Sequence, residues 1–108
     1  MNKEEINKIL ESEEKADLKG ISMQYSKLKN AYLKKANLED ADLEGANLDE
    51  ANLKNADLEG ADLNSASLKY ADLRNAFLNN ANLNNANLKQ ASLKNASLKS
   101  TWLFWTWE

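Results

Sequence analysis

The side chains in this 108-residue sequence with capacity for chemistry are almost all carboxylates and lysines: 17 acids, 14 basic residues, no histidine and no cysteine. Without His, the chain lacks the side chain that most often serves as a general base near neutral pH and most often ligates metals. Without Cys it has no thiolate nucleophile, no thiolate metal site and no disulfide framework. The acids are unevenly spread. Residues 36–63 hold nine acids and one base, whereas residues 64–108 hold two acids and five bases. Glu39, Asp42, Glu44, Asp57, Glu59 and Asp62 dominate the acidic stretch. Paired carboxylates can do acid–base work, but only in a concave, desolvated site that moves their pKa values. Nothing in this spacing builds such a site. The Gly-containing stretches "LEGANL" (43–48) and "LEGADL" (58–63) lack the spacing of phosphate-binding loops and read as turns. The expectation is a non-enzymatic chain with no cofactor and no metal, whose charges present a surface.

What positions those charges is a period of five. Taking a central Leu as position i, 18 such positions run from Leu18 to Leu103, and Leu fills all but one, which is Met23. Position i−2 is Ala in 15 of the 18, the exceptions being Ile21, Ser26 and Thr101. A helix advances about 500° in five residues, so its leucines would spiral around the axis. A strand with an odd period would send alternate leucines to opposite sides. One solution is left: a chain that bends the same way once per repeat, with Ala and Leu inside. Position i+2 carries Gly, Asn or Asp in ten repeats, as a turn with positive φ prefers. Position i−1 carries Asn or Asp in ten, side chains that can bond to local backbone.

The A-(N/D)-L-x-x phrase, repeated in phase over residues 16–105, resembles the pentapeptide-repeat proteins. The resemblance implies an all-β fold, a right-handed quadrilateral parallel β-helix with four repeats per coil. Eighteen repeats then make about 4.5 coils, roughly 22 Å tall at the spacing of a β-ladder. Residues 1–15 read as a short N-terminal α-helical cap, with capping-box spacing between Asn2 and Glu5 and with Ile6, Ile9 and Leu10 on one face.

If residues twenty apart share a face, Lys34, Lys54, Arg74 and Lys94 form a basic stripe, and the six acids named above fall on two other faces. The stripe lacks interleaved aromatics and a groove-reading element, so direct nucleic-acid binding is not expected. The expected role is a structural or protein-interaction module whose partner the sequence does not name. The resemblance offers an alternative, a DNA-mimicking regulator or protector of DNA gyrase that acts as an end-to-end dimer. Family members of that kind are longer, use Phe at many central positions and carry loops, which this chain does not share.

Residues 101–108 (TWLFWTWE) put Trp102, Phe104, Trp105 and Trp107 at one end of the stack. They form either a cap, a cap that doubles as a homodimer interface, a contact with a membrane surface, or the cut edge of a longer protein. No stretch has the roughly 20 apolar residues of a membrane span, and Met1–Leu10 is too charged for a secretory signal. A cytoplasmic location is the expectation.

Overall fold

The computed structural model describes Glu4, Lys8 and residues 16–103. Within residues 16–103, every fifth residue forms a single parallel bridge to the residue twenty positions away. One column of bridges runs Asp17, Asn37, Asp57, Phe77, Ser97; the next runs Ser22, Asp42, Asp62, Asn82, Trp102. Two further columns start at Lys27 and Tyr32. Each coil therefore takes twenty residues, four repeats, and the four columns define four faces. The two short dimensions are equal, 35 × 24 × 24 Å.

The interior is the Ala and Leu set. Leu28 to Leu83 and Ala31 to Ala61 have no exposed surface, and no polar residue joins the buried core. Each buried Leu contributes roughly 1.5–3 kcal/mol before entropy is subtracted. Because five residues match neither the 3.6-residue turn of a helix nor the two-residue alternation of a strand, neither could have gathered these side chains on one side. The bend after each Leu does it.

The backbone accounts for its donors repeat by repeat, as a structure with a dry core must. The repeat around Leu58 shows the pattern. Asp57 N–H reaches back one coil to Ala36 O at 2.9 Å, while Leu58 N–H and Gly60 N–H reach forward to Phe77 O and Asn79 O at 2.7 and 2.9 Å. Ala61 N–H closes the turn on Leu58 O at 3.0 Å. One amide is left over, that of Glu59, and it donates to Oδ1 of Asp57 at 3.0 Å. All ten repeats with Asn or Asp at i−1 make this last bond. This explains why Asn and Asp interchange there: the position needs an acceptor oxygen, not a charge. Where Ser67 and Ser97 replace them, the acceptor comes from the coil before. Asp49 Oδ1 takes both Ser67 Oγ and Lys69 N–H, and Asn79 Oδ1 takes Ser97 Oγ and Lys99 N–H.

Every i+2 residue from Gly20 to Ser100 has φ between 57° and 70°. Fourteen of these 17 are not glycine, and none is β-branched, the type that tolerates this region least. Positive φ alone therefore does not demand Gly here. A Cβ would meet a neighbour at two of the three glycines: on Gly45 the Tyr25 ring and on Gly60 the Asp40 carboxylate, both exposed side chains of the preceding coil that can swing aside. Two other irregular positions lie in the Ala column. Thr101 donates its hydroxyl to Leu78 O at 2.7 Å, whereas the buried Ser26 hydroxyl has no partner among the described residues. The predicted N-terminal cap falls outside the described residues except for Glu4 and Lys8, which are helical and exposed.

Three stability outcomes follow, each read from the denaturation midpoint. Leu58→Asp buries a charge in a side chain with no exposed surface and abolishes folding, while Glu59→Lys, one residue on, costs little. Asn52→Ala strips the Lys54 amide of its acceptor and costs about 1 kcal/mol, while Asn52→Asp retains it. Ser26→Ala removes an unpaired buried hydroxyl and stabilises by about 1 kcal/mol.

Candidate interaction surface

The twenty-residue coil places the acids on two adjacent faces. Glu39, Asp57 and Glu59 belong to the face of the Asp17 column, and Asp42, Glu44 and Asp62 to that of the Ser22 column. Asp42 and Asp62 are bridged directly, so they stack one above the other. Together with Glu44 they bring carboxylate oxygens within 4.8 Å of one another. Among the described residues this is the one group of acids close enough to share a cation, and no second feature points to an ion there. Three of the six acids also serve the backbone: Asp42, Asp57 and Asp62 accept the amides of Glu44, Glu59 and Asn64 at 3.1, 3.0 and 2.9 Å. Asp42 additionally accepts from Gln24 Nε2. Glu39 faces Lys19 at 3.7 Å, an exposed pair of small energetic weight. Glu44 and Glu59, at the turn position i+1, have no ion-pair partner within 4 Å among the described residues.

Stacking also brings Lys34, Lys54, Arg74 and Lys94 into one column, since Tyr32, Asn52, Asp72 and Ser92 beside them are bridged in sequence. Arg74 turns aside within that column. Its Nε donates to Asp72 Oδ1 at 2.9 Å and its terminal nitrogen to Oδ2 at 2.7 Å, a bidentate fork. The side-chain hydrogen bonds from Arg74 hold the Asp72 carboxyl below its ordinary pKa, outweighing the opposing effect of desolvation. The stripe is thus three lysines interrupted by a neutralised pair. Asp72 occupies the i−1 position, so the Asn/Asp pattern of the sequence could have signalled an acid beside Arg74.

At the far end, Trp102 continues its column, with its N–H on Ala81 O at 2.9 Å and its carbonyl receiving Leu83 N–H at 2.8 Å. Its side chain points outward and is 56% exposed. Leu98 and Leu103 are 37% and 47% exposed, although the register turns them inward, because no further described coil stacks on them. Phe104, Trp105 and Trp107 lie outside the described residues. Lys89, Lys94 and Lys99 occupy the same turn position on three successive faces of residues 84–103. Reading the columns lengthwise passes over this grouping; reading the last coil around its circumference reveals it.

Known proteins share both pattern and coil. The family model described as pentapeptide repeats matches in eight copies, over residues 14–49, 26–64, 41–80 and 61–99. No curated protein sequence matches the chain. Among solved structures, a pentapeptide repeat protein of the Arabidopsis thaliana thylakoid lumen is 38% identical with a TM-score of 0.77, covering 80% of this chain and 60% of that one. HetL, a pentapeptide repeat protein involved in heterocyst differentiation regulation in the cyanobacterium Nostoc sp. strain PCC 7120, is 37% identical with a TM-score of 0.64, covering 84% of this chain and 46% of that one. This chain thus spans less than two thirds of the length of either. QnrB1, a plasmid-mediated fluoroquinolone resistance protein, is 19% identical at a TM-score of 0.37, too remote to bear on function. Proteins of this kind form right-handed quadrilateral β-helices. Five-residue repeats, a twenty-residue coil and a family match over most of the sequence agree: the chain belongs to the pentapeptide-repeat family.

Proposed function

We propose that the protein is a non-enzymatic interaction module that docks a basic protein surface against its two adjacent acidic faces. The observation that carries this reading is the placement of Glu44 and Glu59 on neighbouring faces, above a backbone whose amides are bonded from coil to coil. A surface held this rigidly loses little freedom on binding, so charge complementarity is not spent on ordering the protein. Members of the family generally serve as structural or interaction modules, which supports the same role here.

The DNA-mimicking alternative asks for more charge over more length. Duplex DNA carries one charge per roughly 1.7 Å of axis. Here the dense acids end at Asp62, three of the six are engaged with turn amides, and Asp72 is neutralised by Arg74. The gyrase reading therefore has less support than a more local contact with a basic partner.

Titration with a decalysine peptide at low salt tests the docking face. Binding is expected to be salt-sensitive and to weaken several-fold in the Glu44→Gln/Glu59→Gln double variant. Glu50→Gln, on a different face, leaves it nearly unchanged. Equal binding by all three proteins would remove the acidic faces from consideration. A gyrase supercoiling assay separates the two readings: the interaction module has no effect at tens of micromolar, whereas inhibition or protection from a quinolone would favour the mimic.

A further inference from the structure

Closure of the coil at twenty residues fixes which walls face away from each other. The four bridge columns follow in chain order from Asp17, Ser22, Lys27 and Tyr32, so the Ser22 and Tyr32 columns lie on opposite walls. The Ser22 wall, with the turns on either side of it, carries Glu39, Asp40, Asp42, Glu44, Glu59 and Asp62. Residues 36–75 contribute no base to it. The Tyr32 wall, with its own two turns, has the opposite sign. Two of its acids are engaged on the wall itself: Asp72 in the fork with Arg74, and Asp49 against Lys69 at 3.8 Å. Lys29, Lys34, Lys35, Lys54, Lys89 and Lys94 have no ion-pair partner within 4 Å among the described residues, and Glu50 is the one acid left beside them. All three tyrosines stand on these two walls, Tyr32 and Tyr70 among the cations and Tyr25 at the edge of the acids, each more than half exposed.

We infer that the Ser22 wall of one copy of this chain docks against the Tyr32 wall of the next, so that solenoids associate side by side in a row. The inference rests on the acidic faces being a docking surface and supplies the basic surface they meet. Carboxylates on one wall face free ammonium groups on the other, whereas two acidic walls or two basic walls repel, so charge admits only the unlike pairing. The tyrosines add apolar area among the charges, in a residue type that interfaces favour. An unrelated basic protein accounts for the acidic wall alone; a second copy accounts for both walls at once. Because the two walls are on opposite sides, each docked copy still presents one of each, and no two-fold axis closes the pair. Four coils at about 4.8 Å and a width of 24 Å give a wall of roughly 500 Å², or about 1,000 Å² over both partners, the size of a weak, transient contact. The association is therefore one of high protein concentration and low salt.

Sedimentation velocity on the full chain tests this. At about 0.01 M salt, where charges act over about 30 Å, the average size is expected to rise with concentration past that of a dimer, and to return to the monomer at about 1 M salt. Glu44→Gln/Glu59→Gln and Lys34→Gln/Lys54→Gln each weaken self-association several-fold. Mixed in equal amounts, the two variants recover the wild-type contact and stop at a one-to-one pair, since each brings the wall that the other lacks. All four side chains stand at the turn position i+1, outside the core, and circular dichroism checks that each variant is folded. A wild type that stays monomeric at millimolar concentration and low salt overturns the inference. So does association unchanged in both variants, or a mixture no larger than either variant alone. Decalysine separates this failure from failure of the acidic docking surface: a chain that binds the peptide through Glu44 and Glu59 yet stays monomeric keeps that surface and loses only the second copy as its partner. A monomer that binds an oligothymidylate, and loses it in Lys34→Gln/Lys54→Gln, would assign the basic wall to nucleic acid instead.

Discussion

In the inner coils three of the five amides of a repeat donate to a neighbouring coil, a fourth closes the turn, and the fifth is left for a side chain. The molecule depends on that fifth amide. It lies at i+1, on the outward side of the turn, where the ladder offers it no carbonyl. An Asn or Asp two residues earlier supplies Oδ1, as Asp57 does for Glu59 and Asn52 for Lys54. Where Ser67 and Ser97 take the place, the neighbouring coil lends Asp49 and Asn79. Twelve of the 17 amides at i+1 from Lys19 to Lys99 are met in one of these two ways, each such bond contributing about 1 kcal/mol.

This constraint reaches into function. Part of the acidity of residues 36–63 is a by-product of the turn. Asp42, Asp57 and Asp62 would serve the backbone equally well as Asn, and elsewhere in the stack that position is Asn. The acids that the fold does not use are those at i+1 and i+2, such as Glu44, Glu59 and Glu50. At those positions sequence is free to vary, and charge there bears on a partner more directly than charge at i−1. Arg74 shows the opposite traffic: a cation in the outward column is drawn back onto a turn aspartate and taken out of the stripe.

The solenoid also separates its side walls from its ends. The walls are made of complete, self-satisfied coils, so they can bind only through side chains. In residues 84–103 Leu98 and Leu103 are partly exposed, since the register turns them toward an interior with nothing stacked above it among the described residues.

Much of this architecture is legible in the linear sequence. The period of five, counted at Leu and Ala, excludes helix and strand and names the buried residues, which the structure buries from Leu18 to Leu88. The turn at i+2 is legible from its Gly and Asn, although Tyr25, Lys35 and Glu50 adopt the same φ without the preference, held there by the bonds on either side. What the residues alone did not contain is the number of repeats per coil, because the local pattern is the same for any number of faces. Only closure of the ladder, with Asp17 meeting Asn37, selects twenty residues and so decides which charges become neighbours. The contact of Gly45 with the Tyr25 ring and of Gly60 with the Asp40 carboxylate, and the stacking of Asp42 on Asp62, follow from that closure. Local chemistry determined that this chain must bend, bury leucine and cap its turns; the vertical stacking of one coil on another decided what its surface can meet.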